Sequence, residues 1–192
     1  QAILDTMGGM GRLLQAERLR HQTAGPKVGP VRLHELSWDV AGQFARQAEQ
    51  KGVALAVEVP ADATVTSEGE LVRLVLQNLV ANAVKYSGRG TVRVRAERQG
   101  NGRKGGWALS VSDEGPGIAP EHLTRIFEAF RRGEMHGQQG VGLGLAIASR
   151  AAKLLSAGLT VESTVGKGAT FRLALPGGGL GKRDGAASRP GR

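Results

Sequence analysis

Hydrophobic residues recur along this chain at two different spacings, and the order of those spacings limits the folds that the chain can adopt. Steps of three and four residues predict helices over 33–51, 70–86, 120–127 and 143–155. Strict alternation predicts strands over 53–59, 91–98, 107–113, 159–163 and 169–175. This order predicts an α/β protein, a two-layer sandwich in which helices cover one face of a mixed sheet.

The two ends of the chain differ in composition from its middle and divide it into four segments. Residues 1–22 include an amphipathic helix over 3–20, whose narrow apolar stripe suits either a partner helix or a domain of its own. Residues 23–30 hold two glycines and two prolines and are interpreted as a linker. Residues 31–176 form the main predicted domain. Residues 177–192 are basic and rich in glycine, which is typical of a disordered tail.

Composition narrows the classes of function. The net charge of +9 favours nucleic acid as a partner, but more than half of the excess lies in the end segments. Aromatic residues that could stack on bases make up only 4% of the chain, so we expect no nucleic-acid binding. The absence of cysteine excludes disulfides, thiolate metal sites and a cysteine nucleophile. No apolar run reaches membrane-spanning length, and because the first residue is glutamine we expect a piece of a longer protein.

The predicted helix over 70–86 has a polar stripe directly beside its apolar one. Asn78, Asn82 and Lys85 follow one another at steps of four and three residues, so they share one side of the helix. Asparagine weakens a helix interior, and its amide needs a partner when it is buried. An amide oxygen suits Mg²⁺ and a lysine suits phosphate. The stripe therefore indicates either a polar ligand or a helix edge satisfied within the protein.

A short acidic and glycine-rich stretch follows the predicted strand over 107–113. Asp113 stands at the strand end, where its carboxylate could accept a hydrogen bond from a ligand amine. Gly115 and Gly117 let the backbone turn sharply and approach a ligand closely. By itself, such a stretch is more often only a turn.

A second glycine-rich stretch opens the helix predicted over 143–155. It holds Gly140, Gly142, Leu143 and Gly144, where backbone N–H groups and the positive helix end could meet phosphate oxygens. A dinucleotide-binding fingerprint is excluded because a loop, not a strand, precedes the glycines. The phosphate-binding loop of nucleoside triphosphatases is excluded as well, since no Gly-Lys-Ser/Thr follows.

In order and spacing, these clusters resemble the N, G1, F and G2 boxes of the catalytic, ATP-binding domain of sensor histidine kinases. That domain belongs to the GHKL superfamily and has a Bergerat-type fold. The matching segments are 76–87, 113–118, 126–132 and 140–147, with a closing motif at 166–171. Any one box would be weak evidence, but four in the same order make the resemblance specific over about residues 31–176.

The resemblance implies roles for individual residues. Asn82 matches the asparagine that ligates Mg²⁺, Asn78 lines the same pocket, and Lys85 lies near the phosphates, which makes all three catalytic candidates. Asp113 matches the carboxylate that accepts the adenine amino group. The other implied contacts to ATP are Tyr86, Gly115, Gly117, Arg131, Arg132, Gly140, Gly142, Leu143, Gly144 and Thr170. Residues 128–139 match a mobile lid over the nucleotide.

One position separates kinases from ATP hydrolases in this superfamily. The hydrolases carry a water-activating glutamate one turn before the Mg²⁺-binding asparagine, whereas this chain has Asn78, which cannot act as a general base. The phosphoryl group must then go to another nucleophile, in this family a histidine on a helical hairpin. His34 begins a His-Glu-Leu triplet like the acceptor motif, but it continues as Ser-Trp-Asp and precedes no hairpin. We expect none of the four histidines to be the acceptor.

The resemblance implies a protein histidine kinase that passes the phosphoryl group from its hairpin to a response regulator aspartate. Residues 1–22 match the end of the second hairpin helix, with the acceptor histidine upstream of this sequence. We expect the full protein to be a membrane-bound homodimer, with this domain on the cytoplasmic side of an inner membrane. The alternatives are an anti-sigma-type serine kinase and a nucleotide-binding interaction module of the same fold. Such serine kinases normally begin at the first strand, so the presence of residues 1–30 argues against the first alternative.

Overall fold

The structure is a computed structural model that describes residues 28–100, 105–123, 125–127 and 144–177. Its strands are β1 (Val28–Arg32), β2 (Val53–Glu58), β3 (Thr64–Glu68), β4 (Gly90–Gln99), β5 (Gly106–Asp113), β6 (Gly158–Ser163) and β7 (Ala169–Leu175). Its helices are α1 (Leu33–Gln50), α2 (Gly69–Tyr86), α3 (Pro120–Leu123) and α4 (Gly144–Leu154). None of these helices is long and apolar enough to cross a membrane.

A five-stranded mixed sheet forms the centre of the fold, in the order β2-β4-β5-β7-β6. β2 pairs with β4 in parallel, and the other neighbours in this sheet are antiparallel. The parallel pair needs a crossover, which the segment containing β3 and α2 supplies. The predicted mixed sheet with helices on one face, a two-layer α/β sandwich, is confirmed.

The two faces of the sheet have different chemistry because strand residues alternate between them. On the helix-covered face, apolar side chains such as Val94, Val111 and Phe171 are almost completely buried beneath α2 and α4. On the other face, charged residues form cross-strand ion pairs, for example between Arg95 and Glu58 at 2.5 Å. The functional site must therefore be sought on the helix side or at the sheet edges.

Two strands were missing from the sequence prediction. β1 and β3 pair antiparallel as a separate small sheet, with Val31 opposite Val65. β1 begins inside the segment interpreted as a linker, where Gly29 and Pro30 signal a loop. Proline is tolerated in a two-stranded sheet because a strand with only one neighbour can leave its other side unbonded. Strand pairing here overrides the local turn signals.

The other predictions differ from the structure by one or a few residues. The helix expected over 120–127 is shorter: α3 covers only Pro120–Leu123, and a turn follows at 125–127. The turn predicted at Gly166-Lys-Gly168 joins β6 to β7, with the Lys167 amide donating to the Thr164 carbonyl at 2.9 Å. The predicted helix over 3–20, the lid over 128–139 and nearly all of the tail over 177–192 lie outside the described residues.

Candidate functional site

The two asparagines of α2 have different surroundings. Asn78 is buried, and its side-chain nitrogen donates to the Leu74 carbonyl one turn back at 2.7 Å. Its side-chain oxygen faces the first residue of α4, where a Cβ added to Gly144 would lie 3.3 Å away. Asn82 is only half-buried, and its amide makes no hydrogen bond to the described part of the chain. Asn78 thus lies between its own helix and the start of α4, whereas the Asn82 amide has no hydrogen-bond partner among the described residues and is available to a ligand.

The last turn of α2 carries a lysine and a tyrosine that remain partly accessible. The Lys85 ammonium lies over the Tyr86 ring, 5.1 Å from its centroid, and Tyr86 is 39% exposed. The Tyr86 ring holds the Lys85 ammonium near the helix end by a cation–π contact. None of the ion pairs between described residues includes Lys85. This arrangement leaves the Lys85 charge available to an anion.

Asp113 ends β5 on the helix-covered face of the sheet, because it stands two residues after the buried Val111 and therefore on the same face. Its Oδ1 accepts a hydrogen bond from the Gly115 amide at 2.9 Å. Burial raises the pKa of the Asp113 carboxyl, while hydrogen bonds from the Gly115 and Ala169 amides oppose that rise. A half-buried carboxyl with remaining lone pairs is suited to accept a hydrogen bond from a ligand that displaces water.

The loop after β5 is fixed against the β6–β7 hairpin by backbone contacts. The Gly166 amide donates to the Pro116 carbonyl at 2.7 Å, and the Ile118 amide donates to Ser163 Oγ at 2.8 Å. Ser163 Oγ in turn donates to the Gly168 carbonyl at 2.7 Å. The loop that follows Asp113 is therefore held in place by hydrogen bonds to the hairpin.

Two glycines in this region are required by the close approach of backbone segments. Gly117 has φ +72°, and a Cβ there would lie 2.1 Å from the Thr164 carbonyl oxygen. A Cβ on Gly115 would meet Asp113 Oδ1 at 2.8 Å and the Tyr86 carbonyl at 3.1 Å. The Gly115 contact brings the end of α2 next to the loop after β5, so Asp113 and Tyr86 border one region.

The Thr170 side chain does not lie on the same face of the sheet as Asp113. It pairs with Ser112 on β5, and it alternates with the buried Ala169 and Phe171, so its side chain is on the face opposite to Asp113. The β7 residue directly opposite Asp113 is Ala169, whose backbone amide donates a hydrogen bond to the Asp113 carboxyl. The structure does not bring the Thr170 hydroxyl to the Asp113 carboxylate. Sequence reasoning missed Ala169 because the contact comes from its backbone.

The remaining predicted residues divide into two groups. Gly144 begins α4, next to Asn78, so the N-terminal end of that helix adjoins the polar stripe of α2. Five predicted contacts lie outside the described residues, namely Arg131, Arg132, Gly140, Gly142 and Leu143.

The predicted Mg²⁺ site depends on an amide. The described ranges contain no group of three or more histidine, aspartate or glutamate side chains that could hold a metal ion. Mg²⁺ often keeps several waters and takes one or two protein oxygens together with substrate phosphates. The half-buried amide of Asn82, which has no hydrogen bond within the described ranges and lies one turn from the Lys85 cation, fits that requirement.

His34, the histidine with a motif-like context, has a structural contact. Its Nδ1 lies 2.6 Å from the Val59 carbonyl oxygen, and its ring lies 6.4 Å from that of Trp38. The hydrogen bond joins the first turn of α1 to the end of β2. His34 Nδ1 is therefore engaged in a hydrogen bond that stabilises the fold.

Lys51, just after α1, was not recognised from the sequence as part of this region. Its ammonium donates to the Val84 carbonyl at 2.8 Å and to the Lys85 carbonyl. A single lysine far from any motif gives no local signal, and only the packing of α1 against α2 brings it to the site.

Comparison with known proteins gives a consistent result. Residues 67–178 match the family model described as histidine kinase-, DNA gyrase B- and HSP90-like ATPase. The sensor histidine kinase AtsR of Burkholderia thailandensis is 32% identical over 163 residues, which cover 83% of this chain and 27% of AtsR. The chain therefore spans about a quarter of that relative.

Solved structures agree with the sequence comparison. The chain resembles full-length ShkA in complex with AMPPNP, with a TM-score of 0.76 and 32% identity, over 90% of this chain and 36% of ShkA. It also resembles the catalytic domain of the histidine kinase ThkA, with a TM-score of 0.67 over 79% of this chain and 96% of that domain. At 23% identity, the likeness to ThkA concerns the fold alone.

Proposed function

The chain belongs to the family of histidine kinase-, DNA gyrase B- and HSP90-like ATPases, and we propose that it presents Mg²⁺-ATP for phosphoryl transfer to a histidine. The observation that carries the proposal is that the end of α2, which bears Asn82 and Lys85, lies against the loop that follows Asp113, where Gly115 approaches both Asp113 Oδ1 and the Tyr86 carbonyl. Together, Asn82, Lys85 and Asp113 offer a metal ligand, a phosphate-binding cation and an acceptor for the adenine amino group.

Each group has a defined task in this proposal. Asp113 accepts a hydrogen bond from the adenine amino group and fixes the base, with Gly117 beside it. Tyr86 packs near the nucleotide, and Lys85 balances charge on the phosphates. Asn82 holds Mg²⁺, which neutralises phosphate charge when it is bound. Because phosphoryl transfer relies mainly on position and electrostatics, these tasks account for most of what such a domain contributes.

The surroundings of Asn78 support transfer to a protein nucleophile over transfer to water. Its amide is buried and engaged with Leu74, so it neither takes a proton nor orients a water molecule as a base. The γ-phosphoryl then leaves ADP as its Pγ–O bond breaks and forms a Pγ–N bond to an imidazole nitrogen. We propose that this imidazole belongs to a helical hairpin outside this sequence, with residues 1–22 the end of its second helix and 23–30 a linker whose last three residues already belong to β1.

The wider role follows from the same proposal. The phosphohistidine passes its phosphoryl group to an aspartate of a response regulator, as in a two-component system. The full protein is a membrane-bound sensor that works as a homodimer, with this domain in the cytoplasm. The name of AtsR, a sensor histidine kinase, supports the assignment to that class of protein.

Phosphoryl transfer can be tested with labelled ATP. The chain is incubated with γ-labelled ATP and Mg²⁺, alone and joined to a hairpin domain that carries its histidine. We expect acid-labile label on the hairpin histidine and none on the isolated chain. The Asn82→Ala variant should give no label, whereas His34→Ala should label the hairpin normally. Acid-labile label on His34, or equal loss in both variants, would contradict the proposal.

A further inference from the structure

Lys51 occupies the C-terminal end of α2 although it belongs to another element. It follows the last residue of α1, and its ammonium reaches across to donate hydrogen bonds to the carbonyls of Val84 and Lys85. These carbonyls lie in the last turn of α2, where a helix leaves four carbonyls without partners in its own backbone. Lys51 therefore acts as a cap that is supplied from outside the helix.

The end of α2 has little other support. The residue after it, Ser87, is extended, with φ −64° and ψ 126°, and its amide donates to the Ala83 carbonyl at 2.9 Å. Gly88, which follows Ser87, does not adopt the left-handed conformation of the usual glycine cap. A cation at the negative end of the helix dipole stabilises it, and a half-buried cation does so more strongly than an exposed one. The last turn thus depends on Lys51.

This last turn carries the phosphate side of the proposed site. Lys85 and Tyr86 project from it, and the Tyr86 carbonyl approaches Gly115 of the loop after β5. If the turn frays, the Lys85 ammonium and the Tyr86 ring lose their fixed positions, whereas Asp113 keeps its place on β5. The contacts to phosphate and those to adenine are therefore supported by different elements.

The positive charge of Lys51 also lies close to that of Lys85, on the phosphate side of the proposed site. Burial and, to a smaller extent, the charge of Lys85 lower the pKa of the Lys51 ammonium, which places the two cations close to one another. Two neighbouring cations cost stability in the free protein, and an anion bound beside them reduces that cost. Two cations close together are suited to bind an anion, although the Lys51 ammonium already donates to the two carbonyls.

We propose that Lys51 is a positioning residue for nucleotide binding, which holds the last turn of α2 so that Lys85 can contact the phosphates. The inference rests on the proposed function and adds a residue outside every sequence motif. It predicts that loss of Lys51 weakens binding of ATP more than binding of adenosine, because adenosine has no phosphates for Lys85 to contact.

The test compares Mg²⁺-ATP and adenosine binding, by titration calorimetry, for the full chain and five variants. Lys51→Met should weaken ATP binding roughly tenfold, the size of effect expected from a lost charged hydrogen bond, and leave adenosine binding within about twofold. Lys51→Arg, which can donate to both carbonyls, should restore most of the affinity. Lys153→Met, an exposed lysine in the last turn of α4, serves as the matched control and should bind like the parent.

A double variant separates positioning from direct contact. If Lys51 acts through Lys85, then Lys51→Met combined with Lys85→Met should bind ATP no more weakly than Lys85→Met alone. Thermal melts check that each variant is folded, and Lys51→Gln replaces Lys51→Met if the latter is not.

The outcomes are distinct. Equal losses for ATP and adenosine, an additive double variant or unchanged ATP binding in Lys51→Met would overturn the role of Lys51 and leave the proposed function standing. Failure of the parent chain to bind ATP would overturn the proposed function and this inference with it.

Discussion

Replacement of Gly117 by alanine should destabilise the protein by an amount that the structure allows us to estimate. Gly117 has φ +72°, which costs a residue with a Cβ about 1 kcal/mol. Its Cβ would also lie 2.1 Å from the Thr164 carbonyl oxygen, which belongs to backbone and cannot rotate away. The loop after β5 must therefore move off the β6–β7 hairpin.

That movement breaks the two hydrogen bonds that fix the loop, from the Gly166 amide to Pro116 and from the Ile118 amide to Ser163 Oγ. At about 1 kcal/mol each, their loss brings the total cost of Gly117→Ala to about 3 kcal/mol. Urea unfolding measures the free energy of unfolding directly. The displaced loop also carries the Gly115 contact to Asp113, so nucleotide binding should fall as well.

Gly52→Ala is the matched control. Gly52 has a similar φ of +67°, but nothing lies within 4 Å of the position of its added Cβ. Its substitution should therefore cost only the backbone part, about 1 kcal/mol, and should leave nucleotide binding unchanged. If both variants lost the same stability, the contact between loop and hairpin would not be the constraint that we infer.

Three further substitutions test the site. Asn82→Ala should abolish Mg²⁺-dependent ATP binding, measured by calorimetry, whereas Gln77→Ala on the same helix, which only removes a hydrogen bond to Gln43, should not; equal effects would argue against a metal ligand. Asp113→Asn should abolish ATP binding yet stabilise the free protein at neutral pH. The raised pKa of Asp113 means that the folded state binds its proton more tightly, so stability falls as pH rises above the unfolded value; urea unfolding of both proteins at pH 4 and pH 7 should show the variant's advantage only at the higher pH. His34→Ala should lose about 1 kcal/mol of stability with its bond to Val59 and keep full ATP binding, and loss of binding would contradict its structural role.

Sequence patterns predicted the central sheet because its strands alternate cleanly and one face is buried. Val92 and Val94 on β4, like Leu109 and Val111 on β5, are buried residues two positions apart, and that period is incompatible with a helix. The small sheet of β1 and β3 escaped prediction because its stability comes from pairing between distant segments. Gly29 and Pro30 point locally to a loop, and only the partner strand shows otherwise.

The site was predictable in outline but not in its contacts. Spacing placed Asn78 and Asn82 on one side of a helix, yet only the structure shows that the Asn78 amide donates to Leu74 and lies beside the start of α4, whereas the Asn82 amide makes no hydrogen bond within the described residues. Thr170 was chosen for its hydroxyl, whereas strand register turns that side chain away from Asp113 and gives the contact to the Ala169 backbone. Lys51 carries no motif at all. Each of these details depends on packing between elements that are distant in the sequence.

Titration of the parent chain with ATP, with and without Mg²⁺, tests the central claim most directly. We predict saturable binding at one site per chain that weakens strongly when Mg²⁺ is removed, because the Asn82 amide contributes through the metal. Excess ADP should compete for the same site. Absence of ATP binding in the presence of Mg²⁺, from a chain shown to be folded by a cooperative thermal melt, would contradict the account.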